Sequence, residues 1–498
     1  TVFPERRIAP FLSGLAGPKV PLARIEKARV GILDLYRRNG YPFVTVSAAL
    51  DRAGNLRFTV IEAYVAAVKL QGNIGPAGTQ VLRFLDHLTE IGPLSSAALQ
   101  RWLLLAQEVP GVSVHAILRP SAQDPGALTL VAEVSRKPFS GLFTADNGAF
   151  PQTGPAEGLL VLDANSFTEF GEKTELSLYH TSGNTENYGQ AAFETFVGGS
   201  GLRVRLYYGY GPTNPSGDLR AIGYQGVTRE FGAAATYPLI LARQQTLNLQ
   251  ANFDAIDSEV RDDSGPEGSR VRASQDAIRA VRFGVDYARQ DLVFGAPRPA
   301  IDTASVRLSL GLPFLGTGND NPQPGRIGEQ TGFTKITGEL TRTQTLFYPW
   351  RGASVAVLAL LAGQWSPNVL PPVEKFYRGG MQFTRGFYSG EVTGDSAVAA
   401  TVELQLNTAL SFTAFGRPID IGAQFYGFYD WGYAWQNQPL DQNARLASAG
   451  GGVRLTLARN AEFDLEGLTR FTRTPLGSAA NVAPLKADAV YWRILLRY

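Results

Sequence analysis

From residue 139 to residue 498 the chain alternates apolar and polar residues in sixteen successive segments. They begin near residues 139, 157, 172, 188, 202, 228, 245, 277, 301, 331, 353, 397, 421, 448, 462 and 489. Side chains along a strand point to opposite faces in turn, so this period gives each strand one apolar and one polar face. A single strand of this kind fits a soluble sandwich equally well. Sixteen of them, with short connections such as Ser166–Phe170 alternating with long polar ones such as Val260–Ala277, predict a closed antiparallel barrel in a membrane. An even count returns both ends to the periplasmic side. The last segment is the clearest. Val490, Trp492, Ile494, Leu496 and Tyr498 share one face, and Tyr491, Arg493, Leu495 and Arg497 the other, so the arginines face a lumen and the apolar residues face lipid.

Composition agrees with that reading and closes off others. Charged residues make up 18% of the 498, aromatics 11%, and there are 54 glycines, a turn-rich profile unlike that of a soluble α/β enzyme. Mean hydropathy is −0.07 and no run of ~18 apolar residues occurs, so no membrane-spanning helix is expected. The net charge of +2, without a basic block, argues against a nucleic-acid partner. Cysteine is absent, which excludes disulfides and thiolate metal sites. His87, His115 and His180 are scattered and read as structural, and no nucleophile triad, phosphate loop or metal-ligand spacing is found. No enzymatic activity, cofactor or metal is expected. Thr1-Val2-Phe3-Pro4 reads as a mature or trimmed start.

Residues 1–138 follow different rules. Ile25–Tyr41 carries apolar residues at helical spacing and ends in Arg37-Arg38-Asn39-Gly40, a helix stop. Phe43–Leu50 and Leu56–Val65 flank Asp51-Arg52-Ala53-Gly54 as a hairpin. A strand at 66–73, helices at 79–88 and 95–107, and a hairpin of 112–118 with 127–134 follow. Two β-α-α-β-β units are predicted, an internal repeat of architecture. Divisions at 1–64, 65–138 and 139–498 follow, with a long loop over 366–396.

Two motifs stand out in the barrel region. Gly379-Gly380-Met381-Gln382-Phe383-Thr384-Arg385-Gly386-Phe387 places an arginine in that long loop. Phe428-Tyr429-Asp430-Trp431-Gly432 places an aspartate on an alternating strand, with Phe428, Asp430 and Gly432 on one face. A lumen-facing carboxylate invites a cation, and the loop could fold inward to supply Arg385.

With two small α+β units, sixteen strands and these motifs, the chain resembles the TpsB transporters of two-partner secretion, in the superfamily of BamA and TamA. The N-terminal units look like that family's POTRA domains. Tyr36-Arg37-Arg38-Asn39-Gly40-Tyr41 matches the end of a POTRA helix, and Val60-Ile61-Glu62-Ala63-Tyr64 is similar to the junction between POTRA domains. Pro93-Leu94, Leu99-Gln100-Arg101 and Val109-Pro110-Gly111-Val112 follow the second POTRA, and Asp146-Asn147 fits the first barrel strand. Thr384 and Ala63 stand where the family carries valine and glycine, and the family's plug helix has no counterpart in these residues.

The resemblance implies that Thr384-Arg385-Gly386-Phe387 enters the lumen and that Arg385 pairs with Asp430, with Glu403 a second acceptor. It implies that Trp492, Ile494, Leu496 and Tyr498 form the terminal signal read by the barrel-assembly machinery. It further implies a monomeric outer-membrane protein, embedded in lipid with its POTRA units in the periplasm. Such a protein exports one large TpsA-type exoprotein, caught in the periplasm at the POTRA strand edges Phe43–Leu50 and Val112–Leu118. The competing readings are a BamA- or TamA-like assembly factor and a passive porin.

Overall fold

The computed structural model describes residues 2–17, 19–317, 321–378, 384–388, 390–414, 417–457, 460–475 and 484–498. Two helices open the chain, α1 (Glu5–Leu12) and α2 (Leu22–Arg38), followed by the hairpin β1 (Val44–Leu50) and β2 (Leu56–Glu62). Ile32 and Tyr36 on α2 pack against Phe3, Val44 and Val46. The strand expected to lead this first unit is not found among the described residues, and α1 lies there instead. α1 escaped the sequence reading because it is only eight residues long and carries Pro10 inside.

A complete unit follows: β3 (Tyr64–Gln71), α3 (Ala77–Leu85), α4 (Ser96–Gln107), β4 (Val112–Pro120) and β5 (Ala127–Arg136). Ser95 caps α4, its hydroxyl accepting from the Ala98 amide at 3.2 Å. The sheet order is β3-β5-β4, with β3 parallel to β5 and β4 antiparallel at the edge. Val81, Phe84, Leu85 and Leu105 from the helices are fully buried against Val65 and Leu130 of the sheet.

The barrel closes through sixteen antiparallel strands. The first half comprises β6 (Phe139–Asp146), β7 (Glu157–Asn165), β8 (Lys173–Thr181), β9 (Asn187–Val197), β10 (Leu202–Thr213), β11 (Gln225–Ala242), β12 (Gln245–Asp262) and β13 (Val271–Asp291). Then come β14 (Ala300–Gly311), β15 (Thr334–Phe347) and β16 (Ser354–Trp365). The short hairpin β17 (Phe376–Arg378) and β18 (Val392–Gly394) belongs to the long connection rather than to the barrel. The wall resumes with β19 (Ser396–Ala414), β20 (Arg417–Trp435), β21 (Ala444–Leu457), β22 (Ala461–Arg470) and β23 (Asp488–Arg497). β23 closes on β6 through the short register Arg493–Arg497 with Leu142–Asp146.

Alternation sorts the side chains as a membrane demands. Leu206, Tyr208 and Tyr210 of β10 are exposed on the outside, while Arg205 just before them turns inward to Glu175 at 2.8 Å. Exposed aromatics gather at both rims: Phe347, Tyr348 and Trp350 at the periplasmic end, Trp365 and Tyr433 at the other. The second α+β unit docks under the barrel. Phe84 meets Phe196 edge-on at 5.1 Å, the Gln80 side chain donates to the Gly198 carbonyl at 3.1 Å, and Ser166 donates to the Pro110 carbonyl at 2.7 Å.

Candidate functional site

The lumen-facing positions of β19 to β22 build the site. Register pairs Thr401 with Asp430, Glu403 with Phe428, Tyr426 with Gly452 and Gly452 with Glu466. On β21 the inward positions Ser448, Gly450 and Gly452 are small, which leaves depth for large groups opposite. A Cβ on Gly452 would stand 2.7 Å from the Tyr426 hydroxyl, so that ring needs the glycine.

The tip of the long connection fills this space. Residues 379–383 of the sequence motif lie outside the described residues; Thr384 to Phe387 are described. The Phe387 amide donates to the Thr384 carbonyl at 3.0 Å, making a tight turn. Thr384 adopts φ +50°, a left-handed conformation that a β-branched residue rarely accepts and that costs of order 1–3 kcal/mol. Its methyl approaches Gly432, where a Cβ would meet it at 3.2 Å. Gly386 is pressed on β21, and a Cβ there would stand 2.6 Å from Cβ of Ser448. Phe387 is buried among Phe376, Val392, Ala397, Ala434 and Leu446.

Arg385 is 4% exposed and grips the wall with its whole head group. Its backbone amide donates to Asp430 Oδ2 at 2.8 Å. Nε and Nη2 donate to the two oxygens of the same carboxylate, both at 3.1 Å. Nη1 donates to Glu403 Oε2 at 2.5 Å and lies 3.7 Å from Glu466 Oε2. The guanidinium sits 3.5 Å over the Phe428 ring. A planar fork satisfied on both edges and stacked on an aromatic face is something arginine can do and lysine cannot.

Sequence reasoning found Arg385, Asp430, Phe428 and Glu403, and the fold brings all four together. It missed the next layer. Arg454 on β21 donates to both oxygens of Glu403, at 2.6 and 3.1 Å, and stacks 3.7 Å over Tyr426. The Tyr426 hydroxyl in turn lies within hydrogen-bond distance of both Asp464, at 2.8 Å, and Glu466, at 2.9 Å. Arg470 on β22 donates to the Gly386 carbonyl and, at 2.8 Å, to the Tyr491 hydroxyl. The only signal for these residues was lumen-side parity on their strands, which many wall residues share. Trp492, Ile494 and Leu496 lie on the face of β23 opposite Tyr491, and Tyr498 follows the strand, with Leu496 and Tyr498 exposed.

In the N-terminal region two quoted motifs meet. The Tyr36 hydroxyl donates to Glu62 at 2.7 Å, and burial together with that carboxylate pushes its pKa well above the usual phenol value. The Leu94 amide donates to the Ala63 carbonyl at 2.7 Å, and Ser96 to the Gly40 carbonyl at 2.8 Å, joining the two units. Tyr64 donates to Asp124 at 2.7 Å, and this bond, with the Gly126 amide, holds the Asp124 carboxyl below its usual range.

Solved structures share this fold end to end. CdiB from Escherichia coli superposes with a TM-score of 0.76 at 15% identity, over 100% of this chain and 88% of that one. CdiB from Acinetobacter baumannii gives 0.69 at 14%, with the same coverage. BamA from Haemophilus ducreyi lacking POTRA domains 1–3 gives 0.55 at 13%, over 99% and 97%. No curated protein sequence matches the chain significantly. The model of the haemolysin secretion/activation protein family ShlB/FhaC/HecB matches residues 128–455. With a sixteen-strand barrel and periplasmic α+β units in place, the chain belongs to the ShlB/FhaC/HecB family, the outer-membrane β-barrel transporters of two-partner secretion.

Proposed function

We propose that this transporter takes one large exoprotein from the periplasm and passes it, unfolded, through the barrel. In this reading residues 1–64 and 65–138 are two POTRA-like units that catch the client, and residues 139–498 conduct it. The observation that carries the reading is the groove beside β4. Among the described residues no strand pairs with the outer side of β4, so its edge can take a further strand. α4 runs alongside, and Leu99, Leu103 and Val114 line a groove of about 270 Å³. Phe43 of the first unit and Arg243 of the β11–β12 turn also line it, so a strand held there lies at the periplasmic rim of the barrel. An extended chain would bond the β4 backbone and seat its apolar side chains on α4. Among the described residues β1 pairs with β2 alone and offers a second edge.

Above this mouth, the tip held by Arg385 closes the lumen at rest and yields as the client passes. Folding of the client outside the cell supplies the drive. The terminal strand, with Trp492, Ile494, Leu496 and Tyr498 outward, serves insertion by the barrel-assembly machinery.

The test is a comparison of secreted and outer-membrane proteomes with and without this protein. Loss of one large secreted protein, other barrels unchanged, is the expected result. Depletion of several unrelated barrels would make the protein an assembly factor and overturn the secretion reading.

A further inference from the structure

The connection between β16 and β19 meets the barrel wall at a second place, with the charges reversed. At its root, Arg326 from the β14–β15 loop binds Asp395 through both oxygens, at 2.5 and 2.9 Å, and the Leu370 carbonyl at 3.0 Å. This ties the outgoing and returning segments of the connection together. Just beyond, Glu374 is 1% exposed and enters a buried cluster on the wall.

Arg282 of β13 donates to both Glu374 oxygens, at 2.5 and 3.1 Å. Its Nε binds Asp254 of β12 at 2.5 Å, and Tyr207 of β10 donates to the same aspartate. Lys335 of β15 donates to the Glu374 carboxylate and, at 3.0 Å, to its carbonyl. Gln364 of β16 bonds that carbonyl as well, at 3.2 Å. Two bases and two acids balance here. Without Glu374, Arg282 and Lys335 would share one aspartate, and a buried charge left unpaired is strongly unfavourable.

The two attachments lie on different arcs of the wall. Glu374 is held by β13, β15 and β16, whereas Arg385 is held by β19 and β20 with β22 alongside. Ion pairs on separate strands fix the connection from two sides, so detaching one end leaves the other seated.

We propose that Glu374 is a positioning residue that, with Arg385, forms a two-point latch: either anchor alone keeps the connection in the lumen, and release requires both to open. The proposal rests on the reading that this connection closes the lumen at rest.

The test is single-channel recording of the full-length protein in planar lipid bilayers. Wild type is compared with Glu374→Gln, Arg385→Ala and the double variant. Each single variant is expected to change open probability modestly, and the double to exceed the product of the singles by about tenfold or more, the mark of coupled sites. Lys335→Met weakens the second anchor from the wall side, leaves the connection's own sequence intact, and is expected to reproduce the coupling with Arg385→Ala. Heat-modifiable mobility on gels selects folded barrels for every variant. A double variant equal to the product of the singles, by either route, overturns the latch. The recordings need no client, so coupled opening in a protein whose loss removes no exoprotein would sink the secretion reading and leave the latch standing.

Discussion

At the scale of single residues, the site depends on glycine as much as on charge. Gly386 lies where a Cβ would stand 2.6 Å from Cβ of Ser448, and Ser448 is itself fully buried. Gly386→Ala should therefore overpack the seat and destabilise it by about 1–3 kcal/mol. Ser448→Gly removes the opposing atom and should restore the alanine variant. The check is the temperature at which the barrel loses its compact gel mobility, measured for both singles and the double. Arg385 and Asp430 were legible in the sequence because a lone charge in a Gly-rich aromatic motif needs an explanation. Arg454, Tyr426 and Arg470 were not, since nothing in their local sequence sets them apart from other lumen-facing residues.

At the scale of elements, period two located the strands to within a few residues. The segment predicted to begin near 157 begins at Glu157, and that near 245 at Gln245. The largest offset falls at β13, predicted near 277 and starting at Val271, where polar residues extend the strand beyond the membrane. Periodicity says nothing about which elements dock across the chain. Phe196 lies next to last in β9 at the periplasmic rim, yet it is 3% exposed because Phe84 of α3 covers it. Phe196→Ala should cost about 3–5 kcal/mol at that junction while leaving the barrel ladder intact. Hydrogen exchange is the measurement: protection should fall in α3 and α4 and stay unchanged in β19 to β22. Uniform loss across the barrel would mean that Phe196 supports the wall instead.

At the scale of the whole molecule, fold and family were legible because several weak signals agreed: sixteen alternating segments, two α+β units and two short motifs. How the long connection is seated on the wall was less legible. The second attachment at Glu374 joins residues up to 92 apart in sequence, and its partners Arg282 and Lys335 look like ordinary wall charges. The central claim is that the Arg385 seat serves transport rather than merely barrel folding. The measurement is export of the cognate exoprotein by Arg385→Ala, set against the amount of folded barrel in the outer membrane. Losing one partner of a buried ion pair costs about 3–5 kcal/mol locally, and the wall hydrogen bonds remain. Export is therefore predicted to fall severalfold more than folded-barrel abundance. An equal fall in both, or unchanged export, would contradict the account.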